Sequence, residues 1–169
     1  MNEIRQSPEW NAFLKNPSKE NCDMLKNTAS NLDLTQRQKS ALQEALQTTQ
    51  ALDLFAVRSS SPEEDLKDTS FAGQYETYLG VLKDQVPHYI AQAFSSVFDT
   101  RVVEYKRLNG LDIYQPKIAL VVQKQIKSDI SGIAFSINPN NNCYDEVMIN
   151  ASYGLGEAIV SGIVTPDTY

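Results

Sequence analysis

The chain has 169 residues, with 15 basic against 21 acidic side chains and a net charge of −6. That length allows one domain with a sizeable core, and the acidic balance argues against a nucleic-acid-binding surface, which needs a basic patch. Cys22 and Cys143 are isolated, so a disulfide framework is not expected and a reduced, cytoplasmic compartment is. The opening MNEIRQSPEW lacks the apolar core of a signal peptide, and the apolar run at 118–122 falls far short of the ~20 residues of a membrane span.

Taken in chain order, Trp10, Phe13 and Leu14 stand at i, i+3 and i+4 and predict a short amphipathic helix that Asn16-Pro17 ends. Residues 35–50 predict a second helix, with Thr35 and Gln38 in a capping-box pattern and Leu42, Ala45 and Leu46 as its buried stripe. Residues 54–57 read as a short buried strand that delivers Arg58, and 77–82 as another strand. Over 84–98, Tyr89, Ile90, Ala93, Phe94, Val97 and Phe98 form a helical apolar stripe, with Pro87 tolerable only in the first turn. Asp99 is placed to cap a further helix, with Val102, Val103 and Leu108 inward and Gly110 as its stop.

Beyond Gly110 the pattern changes to strands at 119–126, 132–137 and 146–151, the last two separated by the turn-rich NPNNN. Short links make an antiparallel sheet the natural arrangement. The expected class is α+β, with a mixed part over 1–110 and a strand-rich part over 111–169.

The stretch 55–81, FAVRSSSPEEDLKDTSFAGQYETYLGV, carries the chemistry. An arginine at a strand end can give phosphate two parallel charge-assisted hydrogen bonds. Ser59 and Ser60 add hydroxyls, and Gly73 lets backbone N–H groups approach an anion. No Walker A or GxGxxG pattern accompanies them. From these residues alone, an ion pair of Arg58 with Glu63, Glu64 or Asp65 is an equal reading. Glu63, Glu64, Asp65, Asp145, Glu146 and Glu157 read as solvated or helix-start carboxylates rather than metal ligands, and His88 as a helix-face residue.

Ordered motifs sharpen this. Val57-Arg58-Ser59-Ser60, Glu64-Asp65-Leu66, Ser70-Phe71-Ala72-Gly73-Gln74 and Glu76-Thr77-Tyr78-Leu79 are followed by Ser131-Gly132-Ile133-Ala134-Phe135 and Asn138-Pro139. Asp145-Glu146-Val147, Ala151-Ser152-Tyr153-Gly154-Leu155-Gly156-Glu157, Val160-Ser161-Gly162 and Thr165-Pro166-Asp167 complete the series. Together they resemble the VRSS, EDL, SFAGQ, ETYL, SGVxFxxNP, DEV and ASWGLGE motifs of the ATP-binding domain shared by phosphoenolpyruvate synthases, pyruvate phosphate dikinases and rifampicin phosphotransferases.

The resemblance implies an ATP-grasp-like domain that binds ATP. In it Arg58 is the catalytic clamp on the nucleotide phosphates, beside Ser59 and Ser60. A loop over 70–77 covers the phosphates with Gly73, Gln74 and Thr77, and the main chain of Gln123, Lys124, Gln125 and Ile126 meets adenine. Mg2+ is implied, with ligands outside this chain. The chain departs from the family's pattern in several places. No GGKG or ANLG segment precedes Arg58, no IEWA or LQARP follows, Tyr153 replaces a tryptophan, and NPNNN stands for NPVTG.

The expectation is therefore an incomplete domain, from a fragment or a truncated product. Its parent would convert ATP, pyruvate and water to AMP, phosphoenolpyruvate and phosphate through a phosphohistidine. The implied partners are the phosphohistidine and acceptor domains or a complementing chain, with no nucleic acid and no membrane. A rifampicin-type acceptor and a non-catalytic interaction module are the alternatives.

Overall fold

Side-chain caps decide where the first helices begin. In a computed structural model that describes residues 2–62 and 75–169, α1 (Asn2–Arg5) leads into α2 (Pro8–Lys15). Ser7 Oγ accepts from the Trp10 N–H at 3.1 Å, and Pro8 sits in the first turn, where its missing N–H costs nothing. Ser18 Oγ opens α3 (Lys19–Ser30) by accepting from the Asn21 N–H at 3.3 Å. The sequence reading did not single out α3. Its buried stripe of Cys22, Leu25 and Ala29 is narrow, and the polar remainder dilutes the period.

In α4 (Gln36–Ala45) the capping box is formed from both sides, with Gln38 Oε1 accepting from the Thr35 N–H at 2.9 Å. The helix is shorter than 35–50, and Ala45 is exposed rather than inward. Leu46 is buried just past its end, where Lys83 Nζ donates to the carbonyls of Leu46 (2.6 Å) and Thr49 (3.1 Å). The cation thus joins the Thr49 N–H and hydroxyl on the Leu46 carbonyl and fastens the turn that follows the helix.

α5 (Val86–Ser95) tightens into a 3-10 turn at Ser96–Phe98, and α6 (Thr100–Leu108) follows. Asp99 caps α6 by accepting from the Arg101 N–H at 3.1 Å, and it pairs with Lys26 of α3 at 2.8 Å. Burial works against its charge, but the Lys26 and Arg101 bonds outweigh that and hold the carboxyl below its ordinary value. Gly110 (φ 67°) ends α6, with the Leu111 N–H returning to the Lys106 carbonyl at 2.8 Å. Leu108, expected inward, is 86% exposed because the last turn projects past the core that holds Val102 and Val103.

Two apolar clusters result. Trp10, Phe13 and Phe98 form one aromatic centre, with ring centroids 5.7 to 6.2 Å apart, together with Cys22, Leu25, Val102 and Val103. Burial is the main factor raising the Cys22 thiol above its ordinary value, so it remains protonated. The other cluster joins Phe55, Val57, Val81, Val86, Ile90 and Ala93.

Strand β1 (Leu54–Ser60) is the middle strand of a sheet ordered β2-β1-β3, with β2 (Thr77–Leu82) and β3 (Ala119–Lys124) both antiparallel to it. The sequence reading grouped β3 with the later strands. Instead β3 closes the open side of β1 and packs Leu120 and Val122 against the second cluster. A strand whose Phe55-Ala56-Val57 run is buried needs hydrogen-bonding partners on both edges. Between the Phe55–Val81 and Val57–Tyr78 pairs, β2 carries an extra residue, and Gly80 (φ 68°) takes the left-handed conformation this bulge requires.

The chain divides into two compact units, Met1–Gln125 and Ile126–Tyr169. The second holds β4 (Ile130–Phe135), β5 (Met148–Tyr153), the short α7 (Glu157–Val160) and β6 (Asp167–Thr168), in the antiparallel order β4-β5-β6. Here the expected antiparallel pairing is found, and the NPNNN turn closes through an Asn138–Cys143 bridge with Asn142 at φ 58°. A Cβ at Gly132 would meet the Asn150 carbonyl oxygen at 2.9 Å, so the β4–β5 approach requires glycine there.

Phe55→Ala is expected to cost about 3–5 kcal/mol in urea unfolding, since the ring is 1% exposed. Leu108→Ala should stay within about 0.5 kcal/mol.

Candidate functional site

Alternation along β1 sorts its side chains to two faces. Phe55, Val57 and Ser59 face the α5 side with Val122 and Leu120, while Ala56, Arg58 and Ser60 face the opposite side. Register places Arg58 opposite Thr77 on β2 and opposite Val121 on β3, so these three form one row across the sheet. Arg58, Ser60, Thr77, Val121 and Gln123 are all exposed on this second face.

The hydrogen-bonding pattern fixes how closely they meet. The Gln125 N–H donates to the Leu54 carbonyl at 2.8 Å, so Leu54, Ala56, Arg58 and Ser60 spend their main chain on β3. The Arg58–Thr77 pair is therefore of the non-hydrogen-bonded kind, whose side chains lie about 4.5–5.5 Å apart at Cβ. Among the described residues Arg58 makes no ion pair. A guanidinium fork and a hydroxyl thus stand side by side on an open face, an arrangement suited to an oxyanion.

The same alternation separates the candidate adenine residues. Gln123 and Gln125 direct their main-chain groups at β1, whereas Val122 and Lys124 direct theirs away from it, along the outer edge of β3. Lys124 stands opposite Phe55, three residues and about 10 Å along β1 from Arg58. Its ammonium is tied at 2.9 Å to Asp53, which also accepts from the Gln50 N–H at 2.9 Å. The Lys124 bond, then the Gln50 bond, holds the Asp53 carboxyl below its ordinary value.

Ser59 is half-buried on the core side, away from the Arg58 face. Ile126 opens the second unit and is 75% exposed. Gly73 and Gln74, with Glu63, Glu64, Asp65 and Ser70, lie outside the described residues. His88 is exposed on α5, beside the Tyr89 ring. The sequence reading missed Val121 and the bulge at Gly80. Val121 was findable two residues before Gln123, whereas the bulge has no signal beyond an isolated glycine in a strand.

Among the described residues no group of three or more His, Cys, Asp or Glu side chains is placed to hold a metal ion. Nor is any helix among them long and apolar enough to cross a membrane. A cleft of about 540 Å³, walled by Leu32, Phe94, Val97 and Ile118, lies elsewhere in the first unit and contains none of the predicted site residues.

Comparison with known proteins adds a family. The pyruvate phosphate dikinase AMP/ATP-binding domain matches residues 3–169. The phosphoenolpyruvate synthase of Pyrococcus furiosus is 49% identical over 115 residues, covering 68% of this chain and 14% of that protein. That of Aquifex aeolicus is 47% identical over 124 residues, or 72% of this chain and 14% of that protein. The uncharacterized phosphotransferase YvkC of Bacillus subtilis is 49% identical over 115 residues, again 68% and 14%. The chain spans between 10% and 17% of the length of such curated relatives.

Because the folded carboxyl of Asp53 is depressed, its stabilising contribution is full above the unfolded value and disappears as pH falls through the folded one. A carbon-detected NMR titration should find Asp53 below ordinary aspartates, and Lys124→Met should move it back up.

Proposed function

The chain belongs to the pyruvate phosphate dikinase AMP/ATP-binding domain family, and from that premise we propose that it is the nucleotide-binding portion of a phosphoenolpyruvate synthase-like dikinase. The whole enzyme would convert ATP, pyruvate and water to AMP, phosphoenolpyruvate and phosphate by way of a phosphohistidine. The domains bearing that histidine and the acceptor would be its partners.

The observation that carries this reading is the row of Arg58 and Thr77 on the exposed face of the sheet. In the proposed complex the guanidinium takes two oxygens of the phosphate chain in a fork and neutralises charge there. The Thr77 hydroxyl donates one further bond. The outward main chain of Lys124 and Val122 offers adenine an acceptor for its exocyclic amine and a donor for a ring nitrogen. Measured along the strands, that edge and Arg58 are about 10 Å apart, room for a base, a ribose and the start of a phosphate chain. Gly73 and Gln74 remain proposed members of the phosphate-covering loop.

A second reading changes only the acceptor. The Bacillus subtilis relative is named only as a phosphotransferase and is as similar as the synthases, so the shared domain is compatible with another acceptor, such as an antibiotic of the rifampicin type.

Calorimetric titration with ATP should show Arg58→Ala losing about 10- to 100-fold in affinity, the value of charged hydrogen bonds. Arg58→Lys should recover only part, because an ammonium lacks the fork. Unchanged binding in Arg58→Ala overturns the assignment. The purified chain, incubated with ATP and pyruvate, should bind nucleotide without forming AMP by chromatography.

A further inference from the structure

The three-stranded sheet is stitched across its middle strand by one side chain. Gln125 Oε1 accepts from the Gly80 N–H at 2.6 Å. Gly80 belongs to β2 and Gln125 follows β3, and β1 lies between them. The amide must therefore pass over β1. Pairing of residue 125 with Leu54 puts its side chain on the same face as Arg58. Beneath its path lies Ala56, only 6% exposed, the small residue opposite the bulge. A bulge leaves one residue without a ladder partner, and here the Gln125 amide oxygen takes up the N–H so released.

Gln125 is thus held at two atoms. Its N–H is fixed on Leu54 of β1 and its side chain on Gly80 of β2, at the last residue of the first unit. The neighbouring residue is Lys124, whose outward N–H and C=O form the proposed base-reading edge. Reading adenine by main chain alone depends on where that edge stands. Adenine offers a donor amine beside an acceptor nitrogen, and guanine reverses the two. A strand end free to slip or twist no longer tells them apart. The bond to Gly80 is the only side-chain tie among the described residues that spans all three strands of this sheet.

We propose that Gln125 is a positioning residue for base selection, acting through Lys124 and leaving the phosphate grip at Arg58 untouched. This rests on the nucleotide reading above. It concerns the side chain, whereas the sequence reading assigned only the main chain of this residue to the nucleotide.

The test compares the full chain with Gln125→Met, close in size but without the acceptor, and Gln125→Glu, which keeps an oxygen for Gly80. ATP, GTP and inorganic triphosphate serve as probes in calorimetry, and amide exchange at Gly80 is followed by NMR. Gln125→Met should exchange faster at Gly80 and lose about fivefold in ATP affinity, the worth of one net hydrogen bond, with triphosphate binding unchanged. Its preference for ATP over GTP should narrow, and Gln125→Glu should restore both the preference and the Gly80 protection. Equal losses for ATP and triphosphate, or an ATP preference unchanged while Gly80 exchanges faster, would overturn the role. Arg58→Ala separates the two readings. If it leaves triphosphate binding intact, the nucleotide assignment itself has failed. If it abolishes that binding while Gln125→Met leaves base preference alone, only the role of Gln125 has.

Discussion

Everything at the candidate site follows from β1 being hydrogen-bonded on both edges while its side chains alternate between two faces. A strand so placed has no freedom of register. Slipping by one residue would move Phe55 and Val57 into solvent and Arg58 into the apolar cluster. Burying an unpaired guanidinium costs far more than any local gain returns. The apolar residues therefore aim the charged one, and the same packing that stabilises the first unit holds Arg58 on the open face.

The helices serve that strand. α5 lays Val86, Ile90 and Ala93 against Phe55, Val57 and Val81, and so closes the core face. The end of α4 is fixed to the β2 side by Lys83, which reaches the Leu46 and Thr49 carbonyls. Around the sheet's free corner, Asp53, Lys124, Gln125 and Gly80 form a set of polar ties. Lys124 is 61% exposed in its pair, so the tie adds little to stability. Its use is geometric, since it fixes the Lys124 side chain at the end of β3.

The two units differ in how they are held. The first has two apolar clusters, whereas in the second only Met148 is buried among the apolar side chains, and Ile130, Tyr153, Val160 and Ile163 are each more than half exposed. A sheet of this kind keeps its register through backbone pairing, the close β4–β5 contact at Gly132 and the asparagine bonds to Glu146. Those bonds, from Asn138 first and then Asn141, close the turn on Glu146 and hold its carboxyl below its ordinary value.

Local chemistry was legible in the sequence wherever the cause was local. The Thr35–Gln38 box, the Asp99 cap, the Gly110 stop and the apolar period of α5 each depend on residues within a few positions of one another. The ordered motifs around Arg58 identified the family for the same reason, being contiguous strings. What the sequence left open was every relation between distant segments: that β3 closes β1, that Thr77 stands beside Arg58, that Lys124 rather than Gln125 faces the outer edge, and that Gln125 reaches Gly80. Pairing of strands some sixty residues apart is decided by which edge remains unsatisfied once the core has formed, and no short window of sequence contains that edge.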